Sequence, residues 1–295
     1  MDDEVDLNDR APYQEQLLAG EVSELALKGV LGTSAARKKL GASPLAVYAR
    51  RIILPVAAAL AVLLAWEVIV RALHISPVLL PPPSLIGKRL VDLFFPLLLR
   101  HSVPTVWESI VAFLISSVLG VGLAGLLSSS TLLREALYPN VVMFQLIPKI
   151  ALAPLFIVWL GIGSESRLAF AVFISFFPVV IATLAGLDNV DRELIRLCRA
   201  LKASEWQTFV EVRLPHAIPY IFSGMKIATT FAIIGVIVGE FITSQAGLGY
   251  LILFASAQAE TALIMAAIFI LCVFGLLFYA MVAALESFTR QRFGA

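Results

Sequence analysis

Six apolar runs constrain this chain more than anything else in it. They lie at roughly 52–72, 104–128, 139–160, 166–187, 217–241 and 262–285, with charged segments between them. A helix needs about 20 apolar residues to cross the hydrocarbon core of a bilayer. Only helices and closed barrels satisfy every backbone donor and acceptor there. The runs are continuous and lack the alternation of barrel strands, so the expected fold class is all-α, a membrane protein with about six transmembrane helices. Composition points the same way: 60% of residues are hydrophobic, 15% are charged, and the mean hydropathy is +0.92. A soluble domain carries about a quarter charged residues, so lipid must replace water over much of this surface.

Several function classes are disfavoured at once. A net charge of +1 gives no reason to expect nucleic acid as a partner. His74, His101 and His216 are scattered without metal-ligand spacing. Cys198 lies in a charged segment and Cys272 in an apolar run, which disfavours a structural disulfide. No glycine-rich run ends in Gly-Lys-Ser or Gly-Lys-Thr, so ATP hydrolysis is not expected on this chain. No catalytic constellation or cofactor fingerprint stands out either, and the chain does not read as an enzyme.

Residues 1–50 form a separate region, acidic at first (Asp2, Asp3, Glu4, Asp6, Asp9) and basic near Arg37-Lys38-Lys39. It reads as a partly disordered cytoplasmic tail, with a short helix over 14–31 left open; residues 51–295 read as the membrane domain. An even number of spans puts both ends on one side, and the positive-inside rule chooses which. With the tail inside, the inner flanks hold Arg50, Arg51, Arg134, Arg192, Arg196, Arg199, Lys202, Arg213, Arg290 and Arg292. The outer flanks hold Arg71, Lys88, Arg89, Arg100 and Arg167. Both termini are therefore expected in the cytoplasm.

Between the first two runs, Pro81-Pro82-Pro83-Ser84 precedes a shorter amphipathic piece, about 84–98. An interfacial helix capped by Ser84 is expected there. Glu67 and Arg71, four apart, predict a local ion pair. The loop over 188–215 is the longest polar connection between runs. Leu194, Leu197 and Leu201 recur at helical spacing, Trp206, Phe209 and Val212 start a second series, and Pro215 predicts the end of the element. An amphipathic helix on the inner membrane face fits, either as a plain connector or as a docking element.

Leu214-Pro215, with Val212 two residues before Leu214, resembles the end of the cytoplasmic coupling motif of ABC importer permeases, which runs Glu-Ala-Ala, three residues, Gly, nine residues, Ile, any residue, Leu-Pro. Lys202 stands at the glycine position, where glycine permits a turn that lysine does not favour. Arg196, Leu197 and Cys198 stand where Glu-Ala-Ala would be. The segment 145–155 with Trp159-Leu160-Gly161-Ile162-Gly163, the stretch Gly239-Glu240-Phe241 with Ala246-Gly247-Leu248-Gly249-Tyr250, and Leu80-Pro81-Pro82-Pro83-Ser84 are similar to one branch of that family. That branch takes nitrate, sulfonates and taurine, bicarbonate, or pyrimidine and riboflavin-type precursors.

The resemblance implies a type I ABC importer permease architecture with a cytoplasmic coupling helix. It implies an inner-membrane location, a second permease copy (a homodimer or a sister chain), an extracytoplasmic substrate-binding protein, and a separate ABC ATPase that holds ATP and Mg. No cofactor is expected on this chain. Arg196, Arg199, Ala200, Lys202, Ala203, Ser204, Phe209, Leu214 and Pro215 are then the candidates for ATPase coupling. Gln145, Pro148, Lys149, Glu240 and Glu108 are candidates for the translocation path, since charges inside a membrane carry function by default. For each of these charges a bland alternative stays open: Glu240 bonded to the amides of Gly247 to Gly249, Glu108 reaching a neighbouring helix or water, and Lys149 snorkelling. A self-contained secondary transporter or channel is the competing class.

Overall fold

The computed structural model describes residues 44–243 and 245–293. The expectations for the tail up to residue 43, including its basic stretch and short helix, lie outside the described residues. Two compact units are distinguished, Met1–Ala65 and Trp66–Ala295. Among the described residues every regular element is helical.

Helix α1 (Pro44–Ala72) contains the first span, Ile53–Ala72. Helix α2 (Pro83–Leu93) opens on the prolines, whose fixed φ suits a first turn. Pro82, not Ser84, occupies the N-cap, and Ser84 donates its backbone N–H and its hydroxyl to Glu67 instead. The Glu67 carboxylate also receives Arg71 at 2.6 Å, so the expected pair exists and carries a second duty at the α2 start.

The amphipathic piece is not a separate interfacial helix. It passes through a wide turn at Phe94–Leu98 into α3 (Leu99–Ser129), giving an unbroken helical stretch over Pro83–Ser129. In that turn the Leu99 N–H bonds to Phe94 O, five residues back, which accommodates Pro96 without ending the helix. The apolar face of α2 (Ile86, Leu90, Leu93) packs on Leu248, Leu251, Leu263 and Ala266, so protein covers part of what an interfacial helix would give to lipid.

The third run is two helices. Helix α4 (Thr131–Leu146) ends at Ile147-Pro148, a 3-10 turn covers Lys149–Leu152, and α5 (Ala153–Leu160) leaves at 92°. The break falls at two prolines: Pro148 follows the extended Ile147 just before the 3-10 turn, and Pro154 lies in the first turn of α5. Among the described residues, five helices are long and apolar enough to cross a membrane, or six if this bent pair is one span.

Helix α6 (Ser164–Asp188) is the centre of the second unit, packed between α3 and the long helix α9 (Leu214–Thr243). Ala112, Phe113, Ala171, Val179, Ala228, Ala232 and Val236 meet there, fully or almost fully buried. Lipid is as apolar as these side chains, so close packing has to drive the association, and small residues permit it. At Gly235 an added Cβ would sit 2.6 Å from Ala171 Cα. Helices α10 (Leu248–Ala257) and α11 (Thr261–Phe293) complete the unit, α10 being a short apolar helix after the glycine-rich stretch.

Candidate functional site

Two ends of the bundle and one stretch between them hold the singled-out residues. At one end, α3, α6, α9 and α10 converge on Glu240, which is 1% exposed. Its Oε2 accepts the Gly249 N–H at 2.6 Å and its Oε1 accepts the Thr105 hydroxyl at 2.6 Å. Thr105 Oγ1 in turn accepts the Leu248 N–H at 2.8 Å, and His101 Nδ1 accepts the Gly247 N–H at 3.1 Å. Three successive amides of the glycine-rich stretch are thereby satisfied by three side chains, so the backbone turns inside the protein without an orphan donor. Gly247 has φ +113°, and a Cβ there would lie 2.1 Å from Glu240 Oε1. Of the two readings of Glu240, the geometry matches the amide-bonded carboxylate, although only the Gly249 amide bonds to Glu240 itself, those of Gly247 and Leu248 going to His101 and Thr105.

One turn along α3, Glu108 meets Arg167 of α6 in a two-pronged pair at 3.0 and 2.5 Å, both side chains being almost buried. Arg167 had the sequence signature of a flanking charge only. Nothing in its neighbourhood along the chain reveals that it closes on Glu108, 59 positions away.

Between the ends, Lys149 sits at the break between α4 and α5 with Nζ 5.3 Å from the Phe177 ring centre and 5.4 Å from that of Phe231, a cation on two aromatic faces. Gln145 and Pro148 are exposed on either side of that break. Next to Phe231, a cavity of about 350 Å³ is lined by Ser223, Lys226, Ile227, Thr230 and Tyr279. Lys226 is paired with Glu286 of α11 at 2.7 Å. Sequence reasoning missed this face, although Ser223, Lys226 and Thr230 recur at helical spacing within an apolar run and were legible as a polar stripe.

At the other end the loop over 188–215 is two helices, not one. Asp191 caps α7 (Arg192–Ala200) by accepting the Glu193 N–H, and α8 (Glu205–Thr208) begins with a capping box between Ser204 and Gln207. Between them the chain reverses at Lys202, which itself has φ +59°. The Lys202 N–H bonds to Arg199 O and the Ala203 N–H to Cys198 O, the two bonds of a Schellman turn. The position thus makes the left-handed turn that glycine suits, with a lysine that bears the steric cost. Pro215 does not end the element: the Leu214 N–H bonds to Phe209 O across a wide turn at Phe209–Arg213, and Glu205–Thr243 runs on as one helical stretch.

Leu194, Leu197, Leu201 and Trp206 are largely exposed on this segment, with Leu201 at 73% and Trp206 at 72%. Trp206 stacks on Phe209 at 6.0 Å. Arg196 and Arg199 line a cavity beside the ends of α3 and α6; Ala200, Lys202 and Ser204 are exposed, while Ala203, Phe209, Leu214 and Pro215 are half-buried.

Comparison with known proteins agrees with this architecture. Residues 116–291 match the family described as the binding-protein-dependent transport system inner membrane component. The formylaminopyrimidine transport permease protein ThiX of Halalkalibacterium halodurans is 34% identical over 75% of this chain and 88% of its own length. The putative aliphatic sulfonates transport permease protein SsuC of Bacillus subtilis is 31% identical over 75% of this chain and 80% of its own. A solved chain of the MetNI methionine ABC transporter, in inward-facing conformations, superposes with a TM-score of 0.58 at 19% identity, covering 65% of this chain and 96% of that one; it supports the fold alone. With apolar membrane-length helices, this helical architecture and relatives of this similarity, the chain belongs to the binding-protein-dependent transport system inner membrane component family and is a multi-pass ABC importer permease of the sulfonate, taurine and pyrimidine branch.

Proposed function

We propose that this permease forms, with a second permease copy, the path by which a small solute, an anion such as a sulfonate or a pyrimidine-type vitamin precursor, enters the cell after delivery by an extracytoplasmic binding protein. The observation that carries the proposal is the continuity of Glu205–Thr243. At about 1.5 Å per residue this stretch of 39 residues is about 58 Å long. One end carries the exposed Trp206 and the other carries Glu240, so a displacement at the first reaches the second as a rigid-body movement. A separate ATPase, which would hold ATP and Mg²⁺, docks on α7 and α8. The ridge of Leu194, Leu197, Leu201 and Trp206 supplies the apolar contact, and Ser204 and Lys202 shape the turn between the helices. The arginine-rich end is then the cytoplasmic one, with both termini on that side.

Along the path, Lys149, Gln145, Pro148 and the face formed by Ser223, Lys226 and Thr230 meet the solute. Glu108 and Glu240, occupied by partners of their own, brace the bundle end nearest the binding protein. Proteoliposomes holding the permease, its ATPase and its binding protein test this. Leu197→Glu with Trp206→Glu is expected to abolish ATPase co-purification and ATP-driven uptake while the permease stays folded. Uptake driven by an ion gradient with no ATPase present would overturn the proposal.

A further inference from the structure

At the arginine-rich end, the ends of α3 and α6, the start of α4 and one edge of α7 enclose a cavity of about 410 Å³. Its charges are Arg134, Arg192, Arg196, Arg199, Arg213 and a single acid, Asp188. Asp188 is engaged, with both carboxylate oxygens on the Arg134 guanidinium at 2.8 and 2.6 Å. Asp191, next to α7, is used in its cap. Among the described residues, the other four arginines meet no carboxylate and make no hydrogen bond through their side chains. Three of them stand on α7 at positions 192, 196 and 199, spaced four and three apart, so their side chains share one helix edge.

Like charges brought this close repel, and water only screens part of that repulsion. An anion with several oxygens, bound among them, removes it. The arginine fork pairs bidentately with carboxylate and phosphate alike, and a phosphate, with more acceptor oxygens than a carboxylate, serves several forks at once. The walls add a second chemical requirement. Leu127, Leu187 and Val190 are buried apolar residues facing the same space, the first two near the ends of α3 and α6 and Val190 just beyond α6. A ligand with phosphate at one end and apolar carbon at the other fits both parts.

We infer that this cavity is a phosphate-binding site, occupied by the headgroup phosphate of an anionic phospholipid whose acyl chains leave along α3 and α6. A lipid held here bridges α7 to the ends of the spanning helices, and so stiffens the segment that the transport cycle moves. The site goes beyond the transport reading and needs no ATPase for its test.

The full-length permease, purified without its partners, is placed in nanodiscs of phosphatidylcholine with or without phosphatidylglycerol. Retained lipid is counted by native mass spectrometry, and the thermal unfolding midpoint is recorded with and without inorganic phosphate. Phosphatidylglycerol is expected to co-purify and to raise the midpoint. The variant Arg192→Gln/Arg196→Gln/Arg199→Gln is expected to bind it at least about tenfold more weakly, since each basic residue near a membrane surface contributes to anionic-lipid attraction. The single exchange Arg196→Gln, on an exposed helix edge, gives a smaller loss in the same direction and guards against misfolding of the triple variant. If inorganic phosphate reproduces the full shift in phosphatidylcholine alone, the phosphate site stands and a free anion is its occupant. Equal lipid binding by parent and variants, or no response to either probe, overturns the site. Arginines that matter only for ATPase retention would then be protein contacts.

Discussion

The two ends of the helical stretch Glu205–Thr243 are built on opposite plans. At the Glu240 end, every singled-out charge has a partner inside the chain: Glu240 with Gly249 and Thr105, Glu108 with Arg167. At the other end, four arginines and an apolar ridge face outward or into a cavity without such partners among the described residues. Buried polar groups that are left unpaired are costly in a low-dielectric interior, so the first end must be complete before the fold is stable. Exposed groups carry no such demand. An end whose charge and apolar surface are left uncompensated in the single chain is the end suited to other molecules.

If the Glu240 end is self-contained, damage to it should appear as lost stability of the isolated permease. Glu108→Ala leaves Arg167 buried and unpaired, and is expected to cost about 3–5 kcal/mol, read as a lowered unfolding midpoint in detergent. Replacing both partners, Glu108→Leu with Arg167→Leu, should recover most of that loss, because no uncompensated charge remains. An equal loss in the single and double variants would mean that the pair acts through something other than charge. Next in size is Gly247→Ala, which forces a Cβ against the Glu240 carboxylate at a backbone conformation that only glycine adopts easily. About 2–3 kcal/mol is expected, again in the unfolding midpoint.

The smallest effect belongs to the other end and has the opposite sign. Lys202→Gly relieves the left-handed strain at the turn between α7 and α8, and should raise stability by up to about 1 kcal/mol. Lys202→Ala keeps the strain and should leave the midpoint nearly unchanged. A gain from alanine equal to that from glycine would show that the lysine side chain, not the backbone, was the burden.

Much of this was legible beforehand for local reasons. The apolar runs announce membrane helices because nothing else satisfies a backbone in lipid. The Glu67–Arg71 pair follows from four-residue spacing. The errors are equally instructive. Pro215 looks like a helix end, yet a wide turn just before it lets the helix continue, and that choice depends on packing on either side. Lys202 looks like a poor substitute for glycine, yet the Schellman bonds of the neighbouring helix hold it in glycine's conformation. Ser84 looks like a cap, but Glu67 draws its hydroxyl away.

From the order of residues alone come the helical class, the membrane location, the amphipathic character of the segment over 188–215 and the resemblance to importer permeases, because these depend on composition and on spacings of a few residues. Tertiary structure alone decides which polar groups far apart along the chain meet. Glu108 finds Arg167 across 59 positions, Thr105 finds Glu240 across 135, and His101 finds Gly247 across 146. Those meetings require α3, α6, α9 and α10 to be brought to one end of the bundle. No local spacing encodes a partner that only packing brings within hydrogen-bond reach.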